Sequence, residues 1–164
     1  MKRLWLLLAL PIVLADQLIK WWTVNNLQPF ERQPLFPGFL ELRRTFNTGA
    51  GFSLLADTPG SRWILTAVSA LASAFIIFAV CKKMTQNTFG IVSLALVLGG
   101  AVGNLIDRAL VGGVVDMLNF TFINFPVFNV ADIFITVGGI CFCAYLIFIH
   151  PREAKKNAPL ESDG

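Results

Sequence analysis

Charge is scarce in this chain: 14% of its 164 residues are Asp, Glu, Lys or Arg, against about 25% in soluble domains. With 55% hydrophobic residues and a mean hydropathy of +0.68, that scarcity excludes an ordinary soluble protein and indicates a membrane protein. The net charge of +3 is small and scattered, and no Lys/Arg block carries interleaved aromatics, so a nucleic-acid partner is excluded. Histidine occurs once, as His150, beside Pro151; it is expected to end the last helix rather than bind a metal. The three cysteines, Cys81, Cys141 and Cys143, are odd in number and lie in or beside apolar runs. They suit neither a disulfide framework nor a thiolate site. H-E-x-x-H and G-x-S-x-G are also absent, which removes two common hydrolase signatures. No metal or cofactor is expected.

What the chain does contain is long apolar runs. Four segments approach the ~20 residues that cross a bilayer: about 4–22, 62–80, 89–110 and 130–149. The opening "MKRLWLLLALPIVLA" has the look of a cleavable signal peptide, but apolar character resumes through Leu18, Ile19, Trp21 and Trp22, so a retained first helix is expected. Lys2 and Arg3, Lys82 and Lys83, and Arg152, Lys155 and Lys156 all fall at one set of ends, which predicts cytoplasmic termini by the excess of positive charge on that side. Arg32, Arg43, Arg44 and Arg62 fall on the other side, mixed with Glu31, Glu41 and Asp57. The expected architecture is a four-helix transmembrane bundle, membrane all-α, with a short extracytoplasmic β region at about 23–61, where "GFLELRRTFN" alternates around Leu40 and Leu42. A second alternating piece at Phe120 and Phe122, then Phe125 to Phe128, is expected to join it or to lie on the membrane surface. Residues 1–156 are read as one domain and 157–164 as a disordered tail.

The polar residues of the spans converge on one depth. Asp16 lies ~18 Å along a helix that crosses ~30 Å of hydrocarbon, and "GGAVGNLIDRAL" brings Asn104, Asp107 and Arg108 to the outer end of the third span. Asp116 follows directly, and Asn129 and Asp132 open the fourth span. Ionisable groups at such depths are rare, costly, and by default functional or paired. Bland roles exist for each: Asp16 and Lys20, four residues apart, suit a helix-face ion pair; Asp107 and Arg108 suit an interfacial anchor; Asn129 suits a helix cap with Asp132 in the first turn. Yet two carboxylates, Asp116 and Asp132, held close in a poorly hydrated place cannot both ionise. Sharing a proton would let one act as base on water and the other as acid. A Ser-Lys nucleophile with Lys20 is discounted because Asp16 would keep that amine protonated. Proton- or cation-coupled transport and a non-catalytic scaffold are the alternatives of other classes.

The blocks "DQLIK" (16–20), "NTGAGFSLL" (47–55), "GGAVGNLIDR" (99–108), "GGVVDMLNF" (112–120) and "FNVADIFITVG" (128–138), in this order on four spans, resemble the lipoprotein signal peptidases, the type II signal peptidases of bacteria. The resemblance implies an aspartic endopeptidase whose dyad falls on Asp116 and Asp132, with Asp16, Lys20, Asn47, Gly49, Asn104, Asp107, Arg108, Asn129 and Ala131 lining or supporting the site. Asn104 and Asn129 would bind substrate backbone or orient the dyad, and Arg108 would hold Asp107 or Asp16. The implied substrate is a prolipoprotein with a diacylglyceryl-modified cysteine, cleaved just before that cysteine. The implied location is the bacterial cytoplasmic (inner) membrane with the site at its outer leaflet, and the cyclic peptide globomycin is the implied inhibitor. The protein is expected to work among membrane lipids as a monomer. Gly51 departs from the family's usual second Ala, and the "NTGAGFS" loop is expected to cover the scissile bond.

Overall fold

A computed structural model describes residues 2–49, 58 and 60–156. A 3₁₀ stretch, Lys2–Leu8, leads into α1 (Ala9–Asn26); strands β1 (Arg32–Phe36) and β2 (Leu40–Asn47) follow, then α2 (Ser61–Cys81) and α3 (Thr88–Leu110). Strand β3 (Val114–Phe120) precedes α4 (Val130–Ala144), a π-helical turn (Tyr145–Ile149) and α5 (His150–Lys156). Four helical stretches are long and apolar enough to cross a membrane: Arg3–Asn26, Ser61–Cys81, Thr88–Leu110 and Val130–Glu153. Their outward faces carry Leu14, Val68, Leu71, Phe75, Ile140 and Ile147, all exposed, as lipid-facing positions are.

Helix α3 is the centre of the bundle, with 61% of its apolar stretch buried against 22%, 22% and 11% for the other three. Its composition explains why. Without a hydrophobic drive between helices in lipid, close approach depends on small residues, and α3 supplies glycine where its neighbours press in. A methyl added at Gly99 would meet Ile12 of α1 at 2.7 Å, one at Gly103 would meet the Asp16 carboxylate at 2.6 Å, and one at Gly100 would meet the Ala131 carbonyl and Ile135 of α4. Ile76, Val80, Ile91, Leu94 and Leu98 close the core at the end remote from the sheet. The start of α3 is capped by Asn87, whose Oδ1 accepts from Phe89 N at 2.8 Å and Gly90 N at 3.3 Å. Its last carbonyls are taken by Arg62, which donates to Arg108 O at 2.9 Å and Ala109 O at 2.7 Å.

The three strands form one antiparallel sheet in the order β1-β2-β3. The third strand was not expected: the β region extends beyond 23–61, and Asp116 sits within it. "VVDMLNF" hides its strand character because both faces are largely covered, with Val114, Asp116 and Met117 all buried, so no alternation of apolar and polar residues marks it. The aromatic piece meant to join the sheet instead folds back on it. Leu118 bridges Phe128, and Phe39, Phe120, Phe122, Phe125 and Phe128 pack ring against ring at 5.0–5.9 Å.

The last helix is also longer than expected. His150 and Pro151 do not end it; the helix passes through both to Lys156. A proline inside an α-helix clashes with the carbonyl four residues back, but here the preceding turn is widened, with His150 N donating to Tyr145 O. Tyr145 Oη accepts from Thr85 Oγ1 at 3.0 Å, and Asn87 Nδ2 donates to Glu153 at 2.7 Å, which fasten this end of α4 to α3. The predicted tail at 157–164 lies outside the described residues.

The glycine packing makes a paired prediction. A methyl at Gly138 would meet Ser93 O at 2.8 Å and Leu96 Cβ at 2.9 Å, whereas one at Gly139 meets nothing within 4 Å. Gly138→Ala is expected to cost about 1–3 kcal/mol by overpacking, while Gly139→Ala is neutral or slightly stabilising by helix propensity. Thermal unfolding in detergent checks this; equal melting temperatures for the two variants would contradict the packing.

Candidate active site

At the sheet end of the bundle the polar side chains of four elements meet. Helix α1 contributes Asp16, Gln17 and Lys20, which lie on one face because three- and four-residue steps repeat along a helix. Lys20 Nζ sits 2.8 Å from Asp16 Oδ2 and 2.9 Å from Asp107 Oδ2 of α3, with all three side chains at most 7% exposed, and it donates to Asn104 Oδ1 at 2.9 Å. Gln17 Nε2 donates to Asp107 Oδ1 at 2.9 Å and to Gly103 O at 3.1 Å. Three buried charges thus share one network.

The two acids of that network reach onward to the backbone. Asp16 Oδ1 accepts from Ala131 N at 2.9 Å, in the first turn of α4, where amide groups have no helical partner and the dipole favours negative charge. Asp107 Oδ2 accepts from Val115 N at 3.3 Å, the residue before Asp116 on β3. One ion cluster therefore ties down the strand that carries Asp116 and the helix that carries Asp132.

Asp116 and Asp132 line a single cavity of about 630 Å³. Every carboxylate oxygen of the two accepts an N–H. Asp116 Oδ1 is met by Asn129 Nδ2 at 2.6 Å and Oδ2 by Asn47 Nδ2 at 3.1 Å. Asp132 Oδ1 is met by Asn104 Nδ2 at 2.9 Å and Oδ2 by the Asn129 backbone N at 3.3 Å. The last contact is half of a capping box, because Asn129 Oδ1 accepts from Asp132 N at 2.9 Å. Asp132 is thus both a helix-cap residue and a wall of the cavity. The asparagine amides are oriented by the same bonds: Asn104 Oδ1 accepts from Lys20 and from Asn129 Nδ2 at 3.1 Å, which turns its own NH₂ toward Asp132. Burial, and then the negative charge of Asp132, push the Asp116 carboxyl up to about 7, against the hydrogen bonds from Asn47 and Asn129 and the charge of Lys20.

The structure brings together all the residues singled out in the sequence, with one partner reassigned. Arg108 does not hold Asp107 or Asp16: Lys20 takes both. Arg108 instead reaches Gly49 O at 3.4 Å, lines the cavity, and leaves its buried Nε without a hydrogen-bond partner. The physical reason is position, since side chains at 107 and 108 project about 100° apart around a helix and only Asp107 faces α1. Gly49 N donates to Asn47 Oδ1 at 2.9 Å, closing a turn that holds the Asn47 amide toward Asp116. The rest of the "NTGAGFS" loop, from residue 50 on, lies outside the described residues. Two site residues escaped the sequence reading. Gln17 sits inside "DQLIK" but carries no charge to draw notice, and Arg43 lines the cavity from β2 with no motif around it.

Four apolar helices around a pocket lined by two held carboxylates define a multi-pass membrane protein with a buried acidic site. A family model described as signal peptidase (SPase) II matches residues 8–148. The chain belongs to the signal peptidase II family, and it is an aspartic-type endopeptidase of that family. It is similar to the lipoprotein signal peptidase of Enterococcus faecalis, at 41% identity over 92% of this chain and 91% of the relative. The lipoprotein signal peptidase of Ectopseudomonas mendocina is 38% identical over 94% and 93%. Among solved structures, one bacterial membrane enzyme superposes with a TM-score of 0.82 at 26% identity, covering 96% of this chain and 93% of that one. A second gives 0.79 at 28%, covering 88% and 93%.

The shared ion cluster predicts that Lys20→Met destabilises the fold by about 3–5 kcal/mol, because two buried carboxylates lose their counter-charge. The double variant Lys20→Met/Asp107→Asn should regain part of that loss. Detergent unfolding of the two variants beside the parent protein measures it, and a single variant as stable as the parent would refute the role given to Lys20.

Proposed function

We propose that this chain removes the signal peptide from diacylglyceryl-modified prolipoproteins, cutting just before the lipid-bearing cysteine, with Asp116 and Asp132 as its catalytic pair. The observation that carries this reading is the pair itself. Two carboxylates, one on β3 and one in the first turn of α4, line one cavity, and their surroundings make them unequal. Asp116, pushed up to about 7, holds the proton; Asp132, held by the Asn104 amide and a backbone N–H, is the base.

Asp132 takes a proton from a water molecule as its oxygen attacks the scissile carbonyl carbon, and Asp116 protonates the carbonyl oxygen to give a neutral gem-diol. The C–N bond then breaks. Its nitrogen receives the proton from Asp132, and a gem-diol hydroxyl returns one to Asp116, which leaves a carboxylic acid, a free amine and the starting protonation states. Asn47 and Asn129 orient Asp116, and Asn104 orients Asp132. Asp16, Lys20, Asp107 and the Ala131 amide hold the elements that carry the pair, while Arg108 and Gly49 frame the cavity.

The names of the relatives support the substrate class. So does the cavity wall, where Ile133, Ile135 and Val137 of α4 continue toward the lipid-facing side and suit a substrate that stays in the bilayer. Arg3, Lys82, Lys83 and Arg152 gather at the end opposite the carboxylates, which supports cytoplasmic termini and a site at the outer leaflet of a bacterial inner membrane. Globomycin is expected to compete for the same cavity, and a monomer is the working unit. Transport is not favoured, because the acids collect at one end of the bundle rather than along a path to both faces.

Asp116→Asn and Asp132→Asn are each expected to lower cleavage of a diacylglyceryl-modified prolipoprotein peptide by about a thousandfold or more while the protein still folds. Substantial residual cleavage in either variant removes that residue from the pair. The pH profile supplies a second check. Activity requires protonated Asp116, so it should fall as pH rises through about 7. Asn47→Ala removes a hydrogen bond that favours the charged form, which raises this pKa further and should move the alkaline limb to higher pH. A limb unmoved, or moved down, contradicts the assignment of the proton to Asp116.

A further inference from the structure

The site cavity does not end at the carboxylates. A second, more open cavity of about 590 Å³ adjoins it across a wall made of Arg43 and the segment Phe125, Pro126 and Val127, residues common to both, and is polar on its far side through Asn119 and Asn124. Arg43 is the only charged residue shared by the two, and the sheet is distorted at its position. Leu42 pairs with Leu118 and Thr45 with Asp116, so two residues of β2, Arg43 and Arg44, stand opposite Met117 alone. This is a β-bulge, a device that re-aims a side chain.

Its two arginines have different fates. Arg44 is consumed by the bundle, donating to Val24 O at 3.1 Å and Leu27 O at 2.7 Å. Arg43 faces Arg32 across the β1-β2 ladder, and Arg32 leans to Glu41 at 3.7 Å, so no acid is left over for Arg43 there. Its Nε is buried without a hydrogen-bond partner. A buried donor left unmatched is costly, and an unmatched one in a cavity wall marks where an acceptor belongs.

We propose that the second cavity receives the polypeptide that follows the scissile bond, and that Arg43 is a specificity-determining residue which binds an acidic side chain in that segment. This rests on the peptidase reading above. The division of the cavities supports it: the first opens along apolar α4 and suits the membrane-bound part of a substrate, whereas the second is lined by amides and a guanidinium and lies on the side of the sheet away from the bundle. The chain after the cut is soluble and has to leave in that direction. A guanidinium pairs with a carboxylate through two parallel N–H bonds and with a backbone carbonyl through fewer, so an acid is favoured over a neutral residue, and a lysine is disfavoured.

The test uses the full-length protein in detergent and three diacylglyceryl-modified peptides, identical except for Asp, Asn or Lys at the second residue after the scissile bond. The parent protein is expected to cleave the Asp peptide with kcat/KM about tenfold above the Lys peptide, through KM. Arg43→Gln should bring that ratio within twofold of unity while the Asn peptide is cleaved nearly as before. Because the ratio is read within one preparation, partial misfolding does not alter it. Asn124→Asp, which adds a negative charge to the second cavity and leaves Arg43 in place, should also lower the ratio. The proposal is overturned if the parent shows no preference, if both variants keep the parent ratio, or if Arg43→Gln lowers kcat equally for all three peptides. Failure of the parent to cleave any of them would strike the peptidase reading instead.

Discussion

A lysine ammonium buried between two carboxylates is the contact on which the rest of this molecule depends. Lys20, Asp16 and Asp107 are withdrawn from both water and lipid, and placing them there is favourable only because each neutralises another and each spare oxygen finds an N–H. Those spare oxygens are what give the cluster its reach. Through Asp16 it grips the first turn of α4, and through Asp107 it grips β3 one residue before Asp116. Neither element touches the other extensively in sequence, yet both are referred to the same three charges on α1 and α3. The separation between the two site acids is therefore set by groups that do not themselves enter the cavity.

The bundle makes that arrangement possible by keeping its backbones close. Glycines at 99, 100 and 103 let α1 and α4 press against α3, and Gly103 lies directly under the Asp16 carboxylate. The same closeness turns amides into a scaffold. Asn104 and Asn129 bond to each other and then separately to Asp132 and Asp116, so a chain of neutral dipoles, fixed at one end by Lys20, orients both carboxylates without neutralising them. Fixed dipoles of this kind cost no reorganisation when charge moves during a reaction.

Much of this was legible in the sequence, and the limits follow from the kind of signal. The four spans read directly from apolar runs, because length against bilayer thickness is a one-dimensional measure. The common depth of Asp16, Asn104, Asp107, Asp116 and Asp132 followed from helix rise alone, and the capping role of Asn129 from its place before an apolar run. Strand β3 was not legible, since a strand covered on both faces has no alternation to show. Nor was the partner of Arg108, for adjacency in sequence suggested Asp107 whereas the turn of the helix sends the two side chains apart. The bulge at Arg43 depends on how β2 and β3 fall into register, which only the folded sheet decides.

The widened turn at Tyr145–Ile149 has a consequence for direction. One residue more than the α-helical count advances the azimuth of everything beyond it by roughly 100°. Along a single uninterrupted rod, Asp132 looks into the cavity at one end and Glu153 is swung round to meet Asn87 at the other. The rod is thus keyed at both tips to α3, and neither tip can spin without dragging its fellow out of alignment.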